Sequence, residues 1–165
     1  MEDFVAADRA PSGQPPVSVH FINNVLAAAA GYIEDDPDEA RDVLALLSQF
    51  LSYRLRSSAD AVPVAQEFEH VATYLRLEQA RFPDRLSVEL PRAADLPDAS
   101  VPRAAVQAPL SEALDRRLGQ RAGPCRLTLR VRPGRPVLDL DLGAPGEAAA
   151  EHVRILLATP AVGAA

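Results

Sequence analysis

The first regular pattern in the chain begins at Val17. From there to Ile33, the residues Phe21, Val25, Ala28, Ala29 and Tyr32 recur at spacings of three and four, which predicts a helix with one apolar stripe. The run E-D-D-P-D-E predicts a junction. Asp36 is placed to act as N-cap, Pro37 to take the first helical position, and Asp38 and Glu39 to sit at the positive end of the dipole. A second helix is predicted from Pro37 to Arg56, with Val43, Leu46, Leu47, Phe50, Leu51 and Leu55 as its stripe. The connection is short, so the two helices are expected to lie antiparallel as a hairpin.

After the break R-S-S-A-D-A, Pro63 is expected to open a third helix that faces a core with Phe68, Val71, Leu75 and Phe82 and ends at Pro83-Asp84. Leu86–Leu90 alternates as a strand does, and 91–101 reads as a Pro-rich loop. A helix is predicted from Pro102 to Leu118, kinked at Pro109. Cys125–Arg132 and Val137–Leu142 alternate cleanly around P-G-R-P and predict a β-hairpin with one buried face. Glu147–Leu157 reads as a last short helix. The expected layout is α+β. A Pro-rich flexible lead-in spans 1–16, the helical hairpin 17–58, the mixed region 62–158 and a frayed tail 159–165.

A two-helix hairpin cannot bury its stripe alone. Two copies would make a four-helix bundle, which predicts a homodimer; docking onto the rest of the same chain is the alternative.

Composition narrows the chemistry. The 165 residues carry a net charge of −6, which disfavours nucleic acid as a partner. All 17 basic residues are Arg, so Schiff-base and P-loop chemistry, which need Lys, are excluded. One Cys, Cys125, and three widely spaced His argue against a disulfide or a metal site. The longest apolar run, Val25–Ala30, is far short of the roughly 18 residues of a membrane span. With acidic residues at Glu2 and Asp3 and no basic leader, a cytoplasmic location is expected.

His20 stands at the start of the first helix in S-V-H-F-I-N-N, and Asn24 lies one turn on, on the same face. On spacing alone both read as ordinary surface residues, and His70 and His152 as structural ones. A resemblance changes the weight of His20. H-F-I-N-N, D-P-D-E-A-R, L-S-Q-F-L-S-Y-R-L-R and E-F-E-H-V-A-T-Y-L-R-L-E-Q-A-R-F together resemble the phosphoacceptor hairpin of LytS/YehU-class bacterial sensor histidine kinases and its lead into the ATP-binding domain. The resemblance runs from Val17 to Phe82 and, more weakly, to Leu114. It implies that His20 is the phosphorylated residue and Asn24 the motif asparagine, with Asn23 standing where an aromatic is usual. Imidazole suits that role, because its neutral, nucleophilic form is populated near physiological pH. The implied second half is a small GHKL-like α/β sandwich.

That second half departs from the pattern where ATP should bind. The family helix Q-P-L-V-E-N-A is matched by Gln107, Pro109, Leu110 and Glu112, and its Mg²⁺-holding asparagine then falls on Ala113, which has no oxygen to offer. Asp141-Leu142-Gly143 resembles the D-x-G turn that contacts adenine, so Glu112, Asp141 and Gly143 are the remnants of a nucleotide site. Only A-P-G-E-A-A-A separates Gly143 from Glu151, which leaves no room for a phosphate-clamping lid. The expectation is a phosphotransfer protein on a decayed kinase scaffold. It would use no cofactor and exchange a phosphoryl group between His20 and a response-regulator receiver domain. The alternatives are an active ATP–Mg²⁺-using kinase module and a non-enzymatic module that sequesters a regulator or a kinase.

Overall fold

The computed structural model describes residues 4–6, 17–55, 61–120, 122–132, 137–146 and 151–157. Helices α1 (Val19–Tyr32) and α2 (Pro37–Leu55) form the predicted hairpin. Each opens on a side-chain cap. Ser18 Oγ accepts from the Phe21 N–H at 3.4 Å, and Asp36 Oδ1 accepts from the Glu39 N–H at 3.0 Å.

Helix α3 (Val64–Arg81) is the centre of the molecule. Eleven of its 18 residues are buried, including Val64, Phe68, Val71, Leu75 and Leu77. A helix buried on nearly every side must be covered from two directions. The hairpin covers one, through Val25, Ala29, Val43, Leu47 and Phe50. The sheet covers the other, and both halves share one continuous core. The inner stripe of the hairpin is therefore satisfied within the chain. That removes the unpaired seam from which the sequence argued for a homodimer.

The sheet has five strands in the order β1-β7-β6-β5-β3, formed by Phe4–Ala6, Glu151–Leu156, Val137–Gly143, Cys125–Val131 and Leu86–Glu89. The β5–β6 and β6–β7 pairs are antiparallel; β1–β7 and β5–β3 are parallel. Leu127, Leu129, Leu138, Leu140, Leu142, Val153 and Ile155 face the helices. Two short strands, β2 (Ala61–Pro63) and β4 (Ser100–Pro102), pair separately. Helix α4 (Gln107–Gln120) packs on the sheet beside α3 through Leu110, Ala113, Leu114 and Leu118.

Several expectations are corrected. The last element is a strand: Val153 and Ile155 turn inward while His152 and Arg154 turn outward, a period of two rather than 3.6. The third helix opens one residue later than expected, because Pro63 ends β2 and flanks α3. The fourth starts at Gln107, not Pro102, and runs on through Pro109. That residue is third in the helix, where no backbone N–H needs an intrahelical acceptor. The lead-in contributes β1, paired with β7. The 91–101 loop holds a 3-10 turn, Ala93–Asp95, and the start of β4. The P-G-R-P turn and the tail lie outside the described residues. Among the described residues no helix is long and apolar enough to cross a membrane.

Candidate functional site

His20 is the second residue of α1, within the first turn, where backbone N–H groups lack intrahelical acceptors, and its side chain is exposed. Asn24 lies four residues on, and its Nδ2 is 3.0 Å from His20 Nε2. The two residues that spacing placed on one face do meet.

Phe21 sets which way this face points. Its ring turns inward, 5.4 Å from Phe50 and 5.6 Å from Tyr74, with the Arg81 guanidinium 5.5 Å above it. Arg81 is held in turn by both Glu78 carboxylate oxygens at 2.8 Å. Burial pushes the Glu78 carboxyl up, and Arg81 pulls the other way. With Phe21 seated there, the helix periodicity leaves His20 and Asn23 outward.

A second polar cluster ties the hairpin to α4. Glu67 of α3 is fully buried. Its carboxylate accepts from the N–H groups of Ala104, Val106 and Gln107 at 3.0, 3.2 and 3.4 Å, and from the Tyr53 hydroxyl at 2.9 Å. It thus caps α4 from outside that helix while gripping the end of α2. Burial raises the Glu67 pKa, and those hydrogen bonds oppose the shift. Burial first, and then the same carboxylate, raises the Tyr53 hydroxyl. Sequence reasoning missed this cluster. The available signal was two carboxylates, Glu67 and Glu78, on the apolar stripe of a helix, where an unpaired charge is not tolerated.

His70 is buried, with ring centroids 4.0 Å from Tyr53 and 4.9 Å from Phe50. Burial first, then Arg54 and Arg103, lowers its pKa to about 3, so it stays neutral and structural. His152 donates from Nδ1 to Asp141 Oδ1 at 2.6 Å.

The nucleotide remnants do not converge. Glu112 is exposed on α4 and lines a cavity of about 200 Å³ with the cap residue Ser18, Phe21 of α1 and Arg54 of α2. Asp141 lies on the other face of the sheet, because Leu140 and Leu142 on either side of it point to the helices. It is bound there by Arg130 at 3.3 Å as well as by His152. Gly143 ends β6, opposite Arg126, so Asp141-Leu142-Gly143 is strand and not the expected turn.

Ala113 is fully buried among the core side chains, whereas Glu112 looks into the cavity. With Pro109, Leu110 and Glu112 set on the P-L-V-E of the family helix, its asparagine position falls on Ala113, which offers no oxygen. Asp141 is on the wrong face, and seven residues join the antiparallel neighbours β6 and β7. Glu112 and Asp141 therefore do not line one site. Among the described residues no group of three or more His, Cys, Asp or Glu is placed to hold a metal.

The histidine kinase family pattern matches residues 14–86, which span the hairpin and α3. The sensor protein LytS of Enterococcus faecalis is 30% identical over 145 residues, 87% of this chain and 25% of that protein. LytS of Oceanobacillus iheyensis is 35% identical over 100 residues, covering 60% of this chain and 17% of its own length. The sensor histidine kinase BtsS of Escherichia coli K12 is 29% identical over 116 residues, 70% and 21% respectively. The chain thus spans a quarter or less of the length of these relatives. With the motif histidine at the head of a capped hairpin and the match running through that hairpin, the chain belongs to the histidine kinase family, in its LytS/YehU class.

Proposed function

We propose that this chain carries a phosphoryl group on His20 and exchanges it with the aspartate of a response-regulator receiver domain. The observation that carries the reading is the pair formed by exposed His20 and Asn24 at the first turn of α1. Exposure matters because a buried imidazole would pay for desolvating the anionic group it gains. The helix start favours that anion, since its N–H groups and dipole are positive there.

The supply of phosphoryl groups is from a phosphorylated receiver rather than from ATP, on the argument of Asp141 and the short β6–β7 connection. The ATP-using alternative keeps one supporting observation, the carboxylate of Glu112 in the cavity beside α1. Titration with ATP–Mg²⁺ separates the two: micromolar, Mg²⁺-dependent binding with label appearing on His20 would establish the kinase reading. Incubation with phosphorylated receivers tests the transfer itself. Acid-labile label is expected on the wild type and none on His20→Ala. An unlabelled wild type that still binds a receiver would make the protein a sequestering module.

We also place a homodimer on the outer face of the hairpin. Val19, Leu26 and Ile33 are exposed at seven-residue intervals along α1, and Leu44 and Leu55 are exposed on α2. A seven-residue apolar repeat is the seam of helix-to-helix association.

A further inference from the structure

We propose that the cavity between the start of α1, the end of α2 and α4 is a binding site for a small zwitterionic amino acid with an apolar side chain. The proposal goes beyond the phosphotransfer reading and does not depend on it. Among the described residues that line the cavity, Arg54 of α2 is the one cation and Glu112 of α4 the one anion. The same cavity is lined by the rings of Phe21, Phe50 and Tyr74, whose centroids lie 5.4, 5.6 and 6.1 Å apart. One positive group, one negative group and an apolar cluster are the three features of an amino acid in mirror image. The volume of about 200 Å³ is below the roughly 300–1,000 Å³ of sites for drug-sized ligands, so the cavity suits a molecule of about amino-acid size.

Each charge is placed to meet a ligand group. The Arg54 guanidinium donates from Nη1 to Gln107 Oε1 at 3.1 Å, which ties the end of α2 to the first residue of α4 at the cavity. Burial pulls the Arg54 pKa down, and the Glu67 carboxylate and then Tyr53 oppose the shift. A guanidinium stays charged even so, and its planar fork matches a carboxylate, whose charge offsets part of the desolvation. Glu112 is exposed. Arg116, one turn further along α4, feels its charge but is itself bonded to Glu151. The Glu112 carboxylate thus offers acceptors to an ammonium group, which brings three donors. The ring cluster and Val17 cover an aliphatic side chain. A simple anion in this cavity meets Glu112, and a simple amine meets Arg54. Each is a like-charge contact that costs affinity, so a molecule carrying both charges is selected over either.

The test is calorimetric titration of the full chain at neutral pH with three compounds. These are L-leucine, 4-methylpentanoate, which lacks the ammonium, and 3-methylbutylamine, which lacks the carboxylate. L-Leucine is expected to bind at one molecule per chain with a Kd on the order of 0.1 mM, the range open to so small a ligand. Each truncated analogue should bind about tenfold more weakly, the effect of one lost charge-assisted contact. Two variants place the site. Ser111 lines the cavity and is half-buried, its hydroxyl donating to the Ala108 carbonyl at 2.8 Å. Ser111→Leu puts bulk into the cavity and should abolish leucine binding. Glu112→Gln alters an exposed side chain, so the fold is kept. It should weaken leucine about fivefold and tighten 4-methylpentanoate, because the repulsion is gone. A purely structural role for Glu112 would not move the two ligands in opposite directions. No binding of L-leucine at millimolar concentration, equal binding of the three compounds, or leucine binding unchanged in either variant overturns the proposal. None of these titrations uses a receiver or ATP, so their failure is distinct from a failure of phosphotransfer.

Discussion

At the scale of single residues, the three histidines differ through their surroundings. His20 is exposed and paired with Asn24, His152 is bound to Asp141, and His70 is stacked between two rings. Replacing His20 by Ala should shift stability by no more than about 0.5 kcal/mol, as for exposed side chains generally. Chemical denaturation checks it, alongside the loss of label. His70 should behave in the opposite way. Its folded-state pKa is lowered to about 3 from an ordinary 6.5. A depressed base contributes its full stability above the unfolded pKa and loses it as the pH falls toward the folded one. Stability should therefore decline between pH 6.5 and 3, with a slope of up to about 1.4 kcal/mol per pH unit from this group. Buried Glu67 and Glu78 have raised values and act in the other direction. The clean measurement is the difference in stability between wild type and His70→Gln across that range. A difference independent of pH would refute the assignment.

The helix starts show two kinds of cap. Those of α1 and α2 come from the preceding residues of their own chain segment, Ser18 and Asp36. The cap of α4 comes from Glu67, 40 residues before Gln107. Only the local kind can be found by reading along the chain. Asp36 was legible in E-D-D-P-D-E, and its hydrogen bond is present. The distant cap was not legible, and α4 was placed five residues too early, across a turn in which Ala104 adopts a positive φ of 64°. Glu67→Gln keeps the volume but removes charge and one strong acceptor. It should destabilise the fold by about 1–3 kcal/mol, and Tyr53→Phe by about 1 kcal/mol. Denaturant midpoints measure both. A neutral Glu67→Gln variant would mean that the carboxylate does not hold α4.

For the whole molecule, the partner of the hairpin is the deciding question. Leu47 and Phe50 are buried in the chain's own core, so charges there would unfold the protein rather than report on association. Leu26 and Ile33 are 44% and 59% exposed, and they are the informative sites. The double replacement Leu26→Glu and Ile33→Glu should leave the folded monomer intact and abolish the dimer in sedimentation. A wild type that sediments as a monomer at micromolar concentration would refute the dimer.

The sequence by itself determined the hairpin, its Asp36 cap, the alternation of β5 and β6, and the pairing of His20 with Asn24. All of these depend on neighbours within a few residues, through 3.6- and two-residue periods and side chains that reach one turn. Tertiary structure alone decided the rest. It made 151–156 a strand because β6 and β1 offer edges on both sides. It covered the inner stripe of the hairpin with α3, and it turned Ala113 to the core and Glu112 to the cavity. It also put Asp141 on the outer face of the sheet, beside the arginine and histidine that bind it. Each of these is a choice between partners far apart in the chain. Such choices are made by which apolar faces and strand edges remain to be covered once the local elements have formed.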